Sequence, residues 1–203
     1  MVDVVIVGAG PAGLSAALLL GRCRRSVILF DSGKPRNAAS HALHSFLTRD
    51  GIPPAEFLQI AREQLTPYQS VKMESMEVLD AAATPSGFEV VLQDGRKIPC
   101  KKLLFATGVI DQLPEVTGIQ EFYGRSIFHC PYCDGWEFRD RRIVIYGKDR
   151  KAHGLALKMM NWSSALTLCT DGAAELSANE RKELDKSEIQ LNEKKLKRFN
   201  GAD

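Results

Sequence analysis

Cys130 and Cys133 stand at i and i+3 in the run HCPYCDG, His129 to Gly135. Two sulfurs at that spacing fall on one face of a helical first turn, close enough to join as a disulfide and part again as thiols. A helix N-terminus at such a pair lowers the thiol pKa and favours the thiolate that carries exchange. Asp134 follows directly, and a carboxylic acid beside a dithiol can protonate a departing thiolate or deprotonate an arriving thiol. A second set of residues points to phosphate chemistry. Gly8, Gly10 and Gly13 are spaced by Ala9, Pro11 and Ala12 in GAGPAG. In a G-x-G-x-x-G turn the first glycine allows the tight bend, the second lets backbone approach a pyrophosphate, and the third lets helix and sheet pack closely.

Both sets need elements to hold them. Val2 to Val7 is a β-branched run that predicts a central, fully buried parallel strand. After the glycine turn, LSAALLLGR (Leu14 to Arg22) is helical in composition, and Ser26 to Phe30 predicts a second buried strand ending at Asp31. Asp31 stands about where an acid meets a ribose hydroxyl. This βαβ unit offers phosphates a helix N-terminus with unpaired N–H groups and a positive dipole end. Ser32 to Pro54 reads as irregular chain with one short helix, Glu56 to Leu65 as a helix, and Val71 to Val78 as one strand. Phe88 to Leu92 and Lys97 to Phe105 predict two strands joined by a turn at Asp94-Gly95. A linker is expected at Asp111 to Pro114, with a fresh unit starting near Ser126. There a strand (Ile143 to Tyr146), Gly147, a helix (Arg150 to Asn161) and a strand (Ala165 to Cys169) repeat the βαβ pattern. A solvated helix from Asn179 to Ser187 and a short strand complete the chain. The fold class is therefore α/β: two Rossmann-like βαβ units with doubly wound parallel sheets.

Composition narrows the function. The 203 residues are 44% hydrophobic and 26% charged, with 27 basic against 25 acidic side chains and a formal net charge of +2. That excludes collagen, wholesale disorder and a disulfide-dense miniature protein, and it argues against nucleic acid or an anionic membrane as main partner. The apolar run at Leu14 to Leu20 is too short to span a bilayer. No basic leader precedes the first strand, so a cytoplasmic, reducing location is expected, where paired cysteines are catalytic or metal-binding. Cys23, Cys100 and Cys169 fall in helix or strand patterns and read as core filler. The pair itself has three other readings. A zinc site needs two further ligands, and the chain offers His129 but no second C-x-x-C. CPYC is similar to the glutaredoxin motif, though in that fold it closely follows the first strand. Two inert buried cysteines are the third, against which Pro131, Tyr132, Asp134 and Gly135 look like an exposed turn.

GAGPAG, Ala106-Thr107-Gly108, and CxxCDG inside a second nucleotide-binding unit together resemble the low-molecular-weight thioredoxin reductase family of flavoproteins. The forms CPYCDGWE and HALHSFLTRDG (His41 to Gly51) are more similar to its thioredoxin-reductase-like branch, which includes gliotoxin-type dithiol oxidases. The resemblance runs end to end. It implies an FAD-binding domain over 1–111 and an NAD(P)H-like domain carrying the CxxC motif over 112–203. Gly8, Gly10, Pro11, Ala12 and Gly13 would hold the pyrophosphate and Asp31 the adenosine ribose. Arg36 and Asn37 would contact the cofactor after the second strand, Val78 would meet adenine through its backbone, and Ala106, Thr107 and Gly108 would pass the cofactor before the chain changes domain. Cys133 would be the flavin-proximal sulfur, Cys130 the one exchanged with substrate, and Asp134 the acid–base residue. His41 and His44 would line the flavin or stand as surface-loop histidines. Electrons would pass between flavin, the Cys130–Cys133 pair and an external small dithiol or disulfide or thioredoxin-like protein, with NAD(P)H or oxygen as the other partner. A homodimer is implied as well.

Two departures qualify what the resemblance implies. In the second glycine turn Gly147 is kept, but Asp149 replaces the middle glycine and Ala152 the third. A carboxylate there adds bulk and like-charge repulsion toward pyrophosphate, so the site is expected to be weak or dead, with Lys148, Arg150 and Lys151 offsetting part of the repulsion. Asp171, after the next strand, would favour NADH over NADPH. Second, family members return to the FAD domain after the nicotinamide domain, and no such segment follows Asp203. A C-terminal truncation, as fragment or natural stub, with weak FAD retention is the expectation. Its functional alternative is a non-catalytic remnant that binds nucleotide or a protein partner.

Overall fold

The computed structural model describes residues 1–201. The chain divides into two compact units, one formed by Met1–Ala42 and Gly51–Gln112, the other by Leu43–Asp50 and the chain from Leu113 onward.

In the first unit β1 (Val2–Val7) leads through the glycine turn into α1 (Pro11–Arg22) and β2 (Val27–Asp31). Pro11 occupies the first turn of α1, where its missing N–H costs nothing. After α2 (Pro54–Glu63) come β3 (Val71–Ser75), β4 (Val78–Thr84), β5 (Gly87–Leu92) and β6 (Lys97–Phe105). The sheet has six strands in the order β3-β2-β1-β6-β5-β4. β3, β2, β1 and β6 run parallel, whereas β5 and β4 are antiparallel neighbours, so the sheet is parallel only in part. The single strand expected over Val71 to Val78 is two: β3 pairs with β2, then the chain breaks at Met76–Glu77 and β4 pairs with β5. Ser32 to Pro53 holds no helix. β1 is central, but only Val5 and Ile6 are fully buried. Its two faces serve different clusters: Ile6 packs with Leu14, Ala17, Leu29 and Leu58 of the helical side, Val5 with Phe30, Val90, Leu92 and Cys100.

Two glycines fix how closely α1 approaches the sheet. A Cβ on Gly13 would lie 1.9 Å from the Gly8 carbonyl oxygen. Gly8 has φ +104, and a Cβ there would lie 2.3 Å from the Ala106 carbonyl oxygen. These obstacles are backbone and cannot swing aside. Gly13→Ala gains about 1 kcal/mol of helix propensity but must push α1 off the strand, so a net loss of about 2 kcal/mol is expected. A urea midpoint for the variant at or above that of the parent would contradict this packing.

The second unit contains α3 (Ile119–Phe122), α4 (Pro131–Asp134), β7 (Ile143–Tyr146), α5 (Arg150–Met159), β8 (Leu166–Cys169), α6 (Ala178–Lys186) and β9 (Gln190–Asn192). Its three strands are parallel in the order β7-β8-β9. The unit begins earlier than Ser126, because Thr117 pairs with Arg198 and its carbonyl accepts from Phe199 N at 2.8 Å. α6 carries a reciprocal Ser177–Glu180 capping box. It is not wholly solvated: Leu184 is buried with Ile145, Ala156, Leu168 and Ile189.

Candidate functional site

In the first unit the structure brings GAGPAG against Ala106-Thr107-Gly108. Gly8 and Gly13 both abut Ala106, and Ala106 N donates to the Val7 carbonyl at 2.8 Å. Gly8 and Gly13 are thus explained by the chain's own packing. Gly10 is not: no protein atom lies within 4 Å of where its Cβ would be. It is also the N-cap residue of α1, and no side chain caps that helix. A helix start with uncapped N–H groups behind a residue that has no Cβ fits a phosphate group brought close to backbone. The residues present therefore fit the dinucleotide that the turn predicts.

The other residues expected around that group lie in the same unit. Asp31 closes β2; its carboxylate accepts from Gly33 N at 3.0 Å and pairs with Arg62 Nη2 at 2.8 Å. Arg36 forms a two-point ion pair with Asp111, its Nε donating at 2.8 Å, which ties the loop after β2 to the chain just beyond Gly108. Asn37 sits in a turn, its carbonyl accepting from Ser40 N at 3.1 Å. Val78 opens β4 and packs toward Phe30, while Lys34 reaches Glu77 at 3.3 Å. Sequence reading missed Arg62 and Asp111, since nothing local marks a residue that pairs across thirty or more positions. His41 is exposed in this unit.

The dithiol turn lies in the second unit. Cys130 is the N-cap residue of α4 and half-buried; Cys133 is exposed, and no disulfide joins them. Cys133 N donates to the Cys130 carbonyl at 3.2 Å, and Gly135 N to the Pro131 carbonyl at 2.9 Å. α4 has four residues, so no long helix stands behind Cys130, and the helix-dipole argument for its thiolate loses its basis. Gly135 is required by packing: a Cβ would lie 2.4 Å from the Pro131 carbonyl oxygen and 3.0 Å from the Trp162 ring. The Tyr132 ring meets Trp162 edge-on at 5.6 Å. Burial pushes the Asp134 carboxyl above the usual carboxylate range, Glu137 adds to that, and His44 and His129 oppose it. His129 Nδ1 is 2.8 Å from the Tyr123 hydroxyl. An acid whose hold on its proton is strengthened, next in sequence to an exposed sulfur, can hand that proton to a leaving thiolate. Among the described residues no group of His, Cys, Asp or Glu is arranged to hold a metal ion.

The second glycine turn keeps Gly147 but differs from the first at Asp149 and Ala152. Gly147 has φ +157 and is packed against Ala152. Asp149, read from the sequence as a repulsive charge, is the N-cap of α5: its Oδ1 accepts from Lys151 N at 3.0 Å and Ala152 N at 3.1 Å. An Asp directly before a helix was a legible cap signal. Asp171 is also engaged, accepting from Leu196 N at 2.7 Å; that bond above all holds its carboxyl below the usual range. A pyrophosphate at this turn would have to displace a carboxylate of the chain itself. These residues do not fit one.

The family of pyridine nucleotide-disulphide oxidoreductases matches residues 2–148, and the chain belongs to it. Within that family it is thioredoxin reductase-like. Thioredoxin reductase aclD of Aspergillus oryzae is 33% identical over 99% of this chain and 67% of its own length. Thioredoxin reductase tcpT of Claviceps purpurea is 42% identical over 68% of this chain, which spans only 44% of that relative. Among solved structures, HlmI superposes with a TM-score of 0.94 at 36% identity, over 100% of this chain and 64% of its own. No helix among the described residues is long and apolar enough to cross a membrane.

Proposed function

We propose that this chain works in FAD-dependent disulfide exchange, with residues 1–111 binding FAD and 112–203 carrying the reactive dithiol. The reading rests above all on Asp134, a carboxyl raised by burial directly after Cys133. FAD, when bound, supplies a two-electron acceptor or donor for the dithiol. Gly10 and the uncapped start of α1 would take its pyrophosphate, with Asp31 and Val78 toward the adenosine.

The chain's own sulfurs do the rest. The Cys130 thiolate attacks an external disulfide; the partner's S–S bond breaks, a mixed disulfide forms, and one partner thiolate leaves and takes the Asp134 proton. Cys133 then attacks the mixed disulfide, closes the Cys130–Cys133 bond and releases the second partner thiolate. The partner disulfide has gained two electrons and the dithiol has lost them; an external dithiol drives the same steps backwards. The partner class is a small dithiol or disulfide, or a thioredoxin-like protein, in the cytoplasm, with the chain assembled as a homodimer. Because Asp149 occupies the amides at the second turn, the other electron partner is not a nicotinamide bound there; the net direction is the reverse one, in which an external dithiol is oxidised and oxygen or another two-electron acceptor takes its electrons. The test is anaerobic bleaching of the flavin absorbance in FAD-loaded protein. A small dithiol is expected to bleach it, and micromolar NADH or NADPH to leave it unchanged. Rapid bleaching by either nicotinamide refutes the choice of partner, and failure of the dithiol refutes the function.

A further inference from the structure

α2 takes no part in the exchange chemistry, yet its last turn delivers a charge to the end of β2. Arg62 Nη2 donates to Asp31 Oδ2 at 2.8 Å, across thirty-one positions of sequence. Asp31 Oδ1 accepts from Gly33 N at 3.0 Å. The carboxylate is thus held from both sides, one oxygen by the chain that follows β2 and the other by the helix. The Phe30 carbonyl accepts from Gly8 N at 2.9 Å, so Asp31, next in the chain, stands beside the glycine turn.

The pair is not needed to hold β2 and α2 together. Leu29 of β2 and Leu58 of α2 already share one buried cluster, with Phe57 and Ala61 packed against it. Nor does the guanidinium sit there for its own hydrogen bonding: its Nε is buried with no partner among the described residues, an arrangement that costs stability. What the pair does fix is the Asp31 carboxylate, whose side chain is only 18% exposed. A carboxylate accepts about four hydrogen bonds, two on each oxygen. Gly33 N and Arg62 Nη2 take one on each. One acceptor site is left on each oxygen, the pattern that the two neighbouring hydroxyls of a ribose ring require.

We propose that Arg62 is a positioning residue for the dinucleotide: it orients the Asp31 carboxylate so that each oxygen accepts from one hydroxyl of the adenosine ribose. The proposal rests on the reading above that residues 1–111 bind FAD with Asp31 toward the adenosine. Without Arg62, Oδ2 loses its donor and only Oδ1 stays tethered, so the carboxylate can turn away from the ribose.

The experiment measures binding rather than turnover. The whole chain, freed of flavin, is titrated with FAD and with its 2′-deoxyadenosine analogue, followed by flavin fluorescence. The unmutated chain should prefer FAD about tenfold, the worth of a hydrogen bond to a charged group. Arg62→Gln should bind FAD more weakly and prefer it only about threefold or less. Arg62→Lys, which keeps a charge and a donor on a shorter reach, should fall between the two. In an Asp31→Asn background, Arg62→Gln should no longer change the preference. The inference is overturned if Arg62→Gln keeps the full preference, even at lower affinity, because a mere strut would weaken both ligands equally. A fall in preference as large with Asp31→Asn as without it also overturns it, as does an unmutated chain that binds both ligands alike. Should Arg62→Gln not fold, Arg62→Lys decides, and an unchanged preference there refutes the role. A chain that binds neither ligand sinks the FAD reading and the inference together; one that binds FAD but shows one preference in every variant sinks the inference alone.

Discussion

With serine in place of Cys133, exchange will halt after its first half and leave Cys130 covalently bound to the external thiol. The mixed disulfide formed by Cys130 has no second sulfur on the turn to resolve it, because the remaining cysteines lie in other elements: Cys23 closes α1, Cys100 lies in β6 and Cys169 ends β8. After a small disulfide is added, intact mass spectrometry should show a thiol adduct at Cys130, and turnover with a small dithiol should fall to background. Cys130→Ser should also end turnover but trap no adduct, since Cys133 is then the resolving sulfur without its partner. The structure makes this comparison informative, because Cys133 is the more exposed of the two. If the adduct accumulates in Cys130→Ser instead, the roles of the sulfurs are exchanged. If the unmutated chain turns nothing over and neither substitution alters what it binds, the chain is the non-catalytic binder that was its alternative, since a scaffold has no use for either thiol.

Asp149→Gly will raise the affinity of the second turn for dinucleotides above that of the parent. The substitution removes the carboxylate that accepts from Lys151 N and Ala152 N. It restores the glycine type that, at the corresponding Gly10, leaves open space beside the helix start. A gain of about tenfold or more in NADH or NADPH affinity, equivalent to about 1.4 kcal/mol, is expected by calorimetry. Replacing the cap by glycine costs only about 0.3 kcal/mol of stability, small enough for the variant to stay folded. Asp149→Asn separates the two causes: asparagine still caps the helix but carries no charge, so it should gain much less. Equal gains for both variants would mean that repulsion, as the sequence alone suggested, outweighs occupancy. Micromolar binding by the parent, or no gain in Asp149→Gly, would remove the idea altogether.

These turns show what the sequence could disclose. β1, the glycine turn, α1 and β2 were legible because each is local: β-branched residues, a proline at a helix start and the approach of Gly13 to Gly8 all act within a few positions. The same holds for the hairpin of β5 and β6 about Asp94-Gly95. The break between β3 and β4 was not, because what ends β3 is its partner β2, which lies far off in the sequence. Leu184 is a lone apolar residue in a charged helix, so its burial depends on α5 and β8 and could not be seen in α6 itself. At the candidate site the cysteines and Asp134 announced themselves by spacing. His44 did not, because its neighbours Asp50 and Glu137 owe their proximity to a loop whose shape depends on left-handed serine and threonine.

The assignment of residues 43–50 to the second unit has a practical corollary for dissection. Neither half of this polypeptide is one continuous stretch of sequence, since the covalent thread leaves the first after Ala42, comes back at Gly51 and departs again after Gln112. A gene cut cleanly between Gln112 and Leu113 would separate the cysteines from the octapeptide folded around His44. Expression of the halves should therefore graft that short stretch onto the C-terminal piece, or supply it as a synthetic peptide.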